Sequence, residues 1–377
     1  MEASLSQKSL WLKHFEALPD PRIERHKKHL LMDILVLTLC AVICGALSWE
    51  SIEDYGHRQQ AWLKTFLLLP NGIPSHDTIA RVFSLLDAKT FSECFIDWMK
   101  AVTGRLKAVV AIDGKRLRGA SKQSDNPIHL VNAFATANGL ALGHYKVSDK
   151  SNEITAIPAL LKLLSLEGCI VTIDAMGCQK EIAKEIIEGK ADYVLALKEN
   201  HAELYEAVTL YLDSLWDGKH KEVAWDGLET LDKGHGRFEK RTYLVTEQLD
   251  WLEACKEWQG LLSVGMVVAE RTIGTHTSIE RRYYISSLPA KASLFAHAVR
   301  SHWAVENQLH WVLDVTFNED RQRMNTKHAA QNLAVIRQSA LNLLRMDKTT
   351  KAMSIKRRQF CAALDNQYLQ GLIMQQS

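Results

Sequence analysis

The sequence predicts a mixed α/β fold, a sheet of parallel and antiparallel strands flanked by helices, preceded by a helical region and interrupted by a β-rich insertion. Three observations carry this. Apolar residues recur at helical spacing up to about residue 105. Three strand-like runs then follow one another, two of them joined by Asn138-Gly139. After them, helix and strand patterns alternate.

Residues 1 to about 105 read as helical through Leu10–Leu18, Leu30–Leu47, Ser51–Leu69 and Thr78–Leu86, with Ser75 or Asp77 placed to cap the last. The stretch from Pro74 to Leu86 suits a small DNA-reading helix with Arg81 outward, but a packing helix is the favoured reading. Ala108–Ile112 is a buried strand ending at Asp113. Ile128–Thr136 and Leu140–Val147 are strands, and Asn138-Gly139 between them signals a hairpin. Asn152–Leu166 reads as a helix, Cys169–Ile173 as a buried strand ending at Asp174, Gln179–Ile187 as a helix, Tyr193–Leu197 as a strand and His201–Leu215 as a helix. This is the ribonuclease H-like order. Residues 217–289 read as the β-rich insertion, with strands at Leu261–Ala269 and Ile279–Ser286 after the segment LDKGHGRFEKRTYLV. Helices return from Ala292, through Arg300–Val312 and Ala329–Arg345. The expected divisions are a helical N-terminal DNA-binding or associated domain (1–105), the first part of the core (106–216), the insertion (217–289), and the remaining core with basic C-terminal helices (290–377).

With 377 residues the chain is long enough for two or three domains. Hydrophobic residues at 47% and charged residues at 24% are those of a globular protein. The net charge of +2 does not announce a nucleic-acid partner, so its distribution matters more. Arg321 to Arg358 holds ten Lys or Arg and one acid, Asp347, which is either a solvated helix surface or a phosphate-binding segment. The seven Cys include no Cys-x-x-Cys, which fits a reducing cytoplasm. Cys40 and Cys44 read as apolar residues on one helix face. The apolar stretch Ile34–Leu47 starts too late for a signal peptide and is too short to span a bilayer.

Asp113 and Asp174 each follow an apolar strand. Carboxylates at adjacent strand ends meet at the sheet rim, where α/β folds bind ligands, and two held close repel unless a cation lies between them. Mg²⁺ suits an all-oxygen site. The third acid is Glu306, in HAVRSHWAVENQLHWVLD. On a helix Arg300, Trp303, Glu306 or Asn307, and His310 share a broad face, and a Glu projecting against the rim completes a three-carboxylate site. Two ions about 4 Å apart in such a site activate the nucleophile and stabilise the leaving oxygen.

The motifs AIDGKRLRG, SNEITAIPALL, TIDAMGCQKEIA, DYVLALKEN, KGHGRFEKR, RRYYISS and RSHWAVENQLHWVLDV stand in this order. With LMDILVLTLCAVICGALSWESIEDYG and GIPSHDTIARVF before them, the series resembles insertion-sequence transposases of the H-repeat-associated type, within the DDE transposase superfamily. The resemblance runs from about Asp20 to Leu369. It implies a ribonuclease H-like core whose acidic triad falls on Asp113, Asp174 and Glu306, binding two Mg²⁺ or Mn²⁺ ions. It also implies the β-rich insertion, DNA partners (terminal inverted repeats and target), a homodimer in the synaptic complex and a bacterial cytoplasmic, nucleoid-associated location. One departure stands out. Many relatives carry a Tyr-Arg-Glu-Lys signature whose other positions here are Val299, His302 and Leu313. Arg300, His302 and His310 are expected to supply the DNA contacts instead.

Lys115, Arg116 and Arg118 beside the first acid either bind phosphate, the favoured reading, or form a solvated basic loop. Lys198 and Asn200, at a strand end, resemble a Lys-x-Asn element of related transposases and serve either DNA contact or structure. His235 and Arg237, in a Gly-flanked turn, either touch DNA or form a plain hairpin tip. Trp303 either packs in its helix or stacks on a displaced base. Cys178 reads as structural. The reaction implied is hydrolysis at element ends followed by transfer of the 3′-hydroxyl to target DNA, without a covalent enzyme intermediate. The alternatives are a nuclease of the same fold that never joins, and a domesticated, inactive DNA-binding copy.

Overall fold

In a computed structural model, which describes residues 9–117, 128–147, 152–234, 236–322, 326–350 and 352–374, the apolar alternation resolves into one nine-stranded sheet. The strands are β1 (Val109–Leu117), β2 (Ile128–Ala135), β3 (Leu140–Lys146), β4 (Ile170–Ile173), β5 (Asp192–Leu197), β6 (Asp226–Gly234), β7 (Arg237–Thr246), β8 (Ser263–Ile273) and β9 (His276–Ser286). Their spatial order is β3-β2-β1-β4-β5-β9-β8-β7-β6. β1, β2 and β3 form an antiparallel meander, and β4 and β5 add to β1 in parallel. That is the expected ribonuclease H-like arrangement. Gly139 closes the β2–β3 hairpin at φ +67°, a backbone conformation glycine adopts freely.

The insertion does not form a sheet of its own. β9 pairs antiparallel with β5 through Val194↔Ser286 to Leu197↔Tyr283, and β8, β7 and β6 extend the same sheet outward. β5 would otherwise present an unpaired edge, and the inserted strands cover it.

Register positions the first two acids. The parallel pairing of β1 with β4 ends at Ile112↔Ile173, so Asp113 and Asp174 are the next residues on two adjacent strands. Adjacent strands lie about 4.8 Å apart. β1 does not end at Asp113 as expected but runs on to Leu117, because β2 continues to pair with it through Leu117↔Ile128. Side chains alternate across a strand, so Asp113 and Asp174 share a face with Val109 and Ile170. Val109 and Ile170 pack with Ala292, Phe295 and Val299, which places both carboxylates under the helix that leads to Glu306.

That helix, α9 (Ala292–His302), starts at Ala292 as expected. It is followed by a π-helical segment (Val305–His310) and α10 (Trp311–Val315) rather than by one regular helix. A π turn widens the helix locally and such turns favour functional sites.

The remaining helices are α1 (Leu10–Phe15), α2 (Leu31–Ile43), α3 (Trp49–Leu63), α4 (His76–Leu85), α5 (Ala88–Thr103), α6 (Glu153–Leu163), α7 (Lys180–Glu188), α8 (Ala202–Trp216), α11 (Ala329–Met346), α12 (Ile355–Leu364) and α13 (Asn366–Ile373). The N-terminal helices share one hydrophobic core with the sheet and with α11. α11 is buried from Ala329 to Leu344 and is gripped by α2, α4, α5 and β3. Its Asn332 Nδ2 donates to the Phe83 and Leu86 carbonyls at the end of α4 (2.8 and 2.9 Å), so α4 is a packing helix, with Arg81 exposed. The basic C-terminal segment is therefore only partly a surface. Arg337 is buried against Gln322, Arg345 bonds the Gly139 and Gln308 carbonyls, and Arg358 the Leu344 and Asp347 carbonyls. Arg321, Lys327, Lys348, Lys356 and Arg357 remain exposed, while Arg323 and Lys351 lie outside the described residues. The cysteines are free, Cys40 and Cys178 being buried, and no described helix is long and apolar enough to cross a membrane.

Candidate active site

Asp113, Asp174 and Glu306 line one cleft of about 280 Å³, together with Lys198, Arg282 and His302. Asp113 accepts the Gly114 N–H (2.9 Å). Asp174 begins a short 3₁₀ turn and accepts the Gly177 N–H (3.3 Å). Glu306 stands in the π segment, which packs on β1 and β2, with its side chain exposed. Burial, and next the charge of Asp174, push the Asp113 carboxyl up to about 7, with Glu153 and Glu306 adding to the repulsion.

Among the described residues, no three His, Cys, Asp or Glu stand ready to hold an ion. The acids nevertheless fit one chemically. The donor set is carboxylate oxygen, which hard divalent ions prefer, and the repulsion that burdens Asp113 is the kind a cation removes.

Glu153, at the start of α6, is a fourth acid here. It is buried and paired with His129 Nε2 (2.7 Å). Burial, then the charge of Asp174, raise its pKa. It also explains Gly114: a Cβ there would stand 2.1 Å from Glu153 Oε1. Sequence reasoning quoted SNEITAIPALL without giving Glu153 a role. The signal was its place in the first turn of a helix aimed at the strand that carries Asp113.

The expected DNA contacts divide into two groups. Lys115 is not a surface cation. It is 7% exposed, and its ammonium donates to Asp314 Oδ1 (2.6 Å) and Glu319 Oε2 (2.7 Å). Burial works against that charge, but the two acids outweigh it and hold the pKa above its ordinary value. Lys115 lies two residues beyond Asp113 on the same strand face, so it turns inward with the acid. His310 is buried beside Asp113 (Nδ1 to Oδ2, 3.5 Å), and burial drives it down to about 3. His302 lies against Thr172 Oγ1 (3.0 Å), and burial lowers it too. Burial thus disfavours the charged form of both imidazoles. Asn200 donates to the Ala175 carbonyl (2.9 Å) and so braces the turn after Asp174.

Arg116, Lys198, Arg237 and Arg300 are exposed. Arg300 reaches Asp232 at 3.3 Å. Arg118 and His235 lie outside the described residues. Trp303 is 39% exposed at the lip of the cleft, with the Arg282 guanidinium 5.1 Å above its ring. Beyond it, on the face of the inserted strands, a groove of about 370 Å³ is lined by Arg237, Arg241, Arg271, Arg282 and Arg300, with Glu239 and Glu280 among them. Arg241, Arg271 and Arg282 escaped sequence reasoning. Alternation along β7, β8 and β9 would have put them on one face.

The family model described as "Transposase DDE domain" matches residues 104–343, and "DDE_Tnp_1-associated" matches residues 12–99. The chain is similar to the putative transposase YncI of Escherichia coli O157:H7, at 42% identity over 371 residues, covering 96% of this chain and 94% of that one. It is equally similar to the H repeat-associated putative transposase YhhI of Escherichia coli K12, at 42% over 372 residues, covering 96% and 97%. A shorter relative, the inactive transposase YbfQ of the same strain, is 51% identical over 73 residues, covering 19% and 87%. Among solved structures, a piggyBac transposase synaptic complex with hairpin DNA aligns with 98% of this chain and 78% of its own at a TM-score of 0.46 and 13% identity.

Proposed function

Because this chain belongs to the DDE transposase family, we propose that it cuts DNA at the ends of a mobile element and joins the freed 3′-hydroxyls to target DNA, with Asp113, Asp174 and Glu306 as its catalytic acids. The observation that carries this reading is that two adjacent strands pass beyond their last shared pair at Asp113 and Asp174, and Glu306 lines the same cleft.

Held by these three acids, Mg²⁺ or Mn²⁺, two ions in all, would supply charge for activating the attacking oxygen and stabilising the leaving one. The chain's own groups do the rest. His310 packs against Asp113 and restricts where its carboxylate points. Arg282 and Lys198 at the cleft, with Arg116, Arg237 and Arg300 around it, bind phosphates and hold the scissile strand over the acids. Trp303 offers a ring on which an unpaired base stacks, worth about 1–3 kcal/mol. The N-terminal helices contribute to end recognition, and the exposed Lys356 and Arg357 add phosphate contacts. Two copies act on two ends, in the bacterial cytoplasm on nucleoid DNA.

The test uses labelled, precut element ends and target DNA with Mg²⁺. Joined product is expected. Hydrolysis without joining would replace this reading with that of a nuclease, and binding without either reaction would mark an inactive copy. Asp174→Asn should abolish both reactions while end binding persists; unchanged cleavage would remove Asp174 from the site.

A further inference from the structure

We propose that Lys115 is a positioning residue, whose buried ammonium fixes the helical segment bearing Glu306 against the strand bearing Asp113. The inference rests on the acidic-site reading above and adds a part that the triad alone lacks.

Among the described residues, no hydrogen bond or ion pair holds the Glu306 carboxylate, so its place is set by how its backbone docks. Val305 and Leu309 of the π segment are buried, but apolar contact is non-directional and permits sliding. Lys115 supplies direction. Its Nζ lies 3.4 Å from the carbonyl of His310, the last residue of the π segment, and ion-pairs Asp314 in α10 and Glu319 just beyond. Three attachments thus run from one side chain of β1 to consecutive parts of the Glu306-bearing stretch. Asp113 shares that strand and face, so one lysine couples the first acid to the third.

Glu319 faces both Lys115 and Arg337, which outweigh its burial and keep its carboxyl below its ordinary value. Lys115 and Arg337 thus face Asp314 and Glu319, with Asp320 adding its negative charge beside Asp314. A buried ion pair of this kind is weak evidence for stability, and its best-attested use is to specify arrangement. Removing the lysine leaves the acids facing Arg337 alone and frees the segment to shift relative to Asp113.

The experiment compares Lys115→Met, Lys115→Arg and Asp314→Asn with the unaltered chain. It reads Mn²⁺ affinity by electron paramagnetic resonance without DNA, single-turnover cleavage against Mn²⁺ concentration, end-DNA affinity, and Tm. Lys115→Met should weaken Mn²⁺ binding and slow cleavage, each by about tenfold or more, as loss of a group that orients metal ligands does. End-DNA affinity should change less than about twofold and keep its salt dependence. Lys115→Arg should recover most of the loss, and Asp314→Asn should shift Mn²⁺ affinity in the same direction by less. Unchanged Mn²⁺ affinity in folded Lys115→Met, or a loss confined to DNA affinity with a shallower salt slope, would overturn the proposal. Should Lys115→Met not fold, Lys115→Met/Glu319→Gln and Asp314→Asn carry the same expectation, and unchanged Mn²⁺ affinity in them overturns it. Asp113→Asn is run alongside. Normal cleavage there would sink the acidic-site reading itself, whereas an inactive Asp113→Asn beside an unaffected Lys115 variant sinks only this inference.

Discussion

Replacing Asp113 with Asn should make the metal-free protein more stable while removing its activity. Folding raises the Asp113 carboxyl from its ordinary 3.8 to about 7. A carboxyl that holds its proton more tightly when folded destabilises the fold once it ionises. The penalty is absent below pH ~4, grows between pH ~4 and ~7, and is complete above that. At about 1.4 kcal/mol per pH unit the shift corresponds to roughly 4 kcal/mol. The side chain is 27% exposed, so solvent screening reduces this to about 2–3 kcal/mol. Unfolding entropy near 2.1 cal/mol/K per residue makes a chain this long gain about 3 °C in Tm from that relief. Asn keeps an oxygen for the Gly114 N–H, so the shape is conserved. Scanning calorimetry in EDTA should show Asp113→Asn melting about 3 °C above the unaltered protein at pH 8, with the gap closing by pH ~4. Excess Mg²⁺ should raise the unaltered protein's Tm and leave the variant nearly unmoved. Equal or lower stability of Asp113→Asn at pH 8 would refute the claim that unbalanced acids crowd this site.

Gly114→Ala should cost about 1–3 kcal/mol, the usual penalty for overpacking, because its methyl meets the Glu153 carboxylate; urea titration measures this, and cleavage should fall with it. Trp303→Ala should weaken binding of ends with an unpaired flanking base by about fivefold to a hundredfold, with little effect on fully paired DNA; equal losses on both would assign Trp303 to packing. Arg282→Ala should lower the slope of log affinity against log salt by about one, as loss of one phosphate contact does. Asn332→Ala should cost about 1–3 kcal/mol by leaving buried carbonyls without a donor, and hydrogen exchange should report it first at the end of α4.

Much of the fold could be read in advance. Strand runs ending near Asp113 and Asp174, and the Asn138-Gly139 hairpin, are local signals that survive folding because both strands are buried. The proposed triad came from the resemblance, and the placing of Asp113 and Asp174 at adjacent strand positions also from the apolar runs before them. What failed was long-range. β1 passes Asp113 because β2 pairs with it, which no property of residues 113–117 announces. Lys115 and Arg337 look like surface cations until the fold sets Asp314 and Glu319, distant from Lys115 in sequence, beside them. Nor does periodicity announce that α11 carries Asn332, Gln338 and Asn342 inward to bond the Phe83 carbonyl of α4, Asn132 of β2 and the Ala141 carbonyl of β3. Buried polar networks of this kind are invisible to periodicity, since their residues count as surface in any hydrophobic pattern.

Crystals of the protein soaked in Mn²⁺ and measured at the manganese edge put the central claim to its most direct trial. Anomalous peaks bounded by the Asp113 and Asp174 carboxylates, with Glu306 closing on them when element-end DNA is bound, are the expected result. Saturating Mn²⁺ that leaves this cleft without a peak, or that collects at acids elsewhere while DNA is still cut, would contradict it.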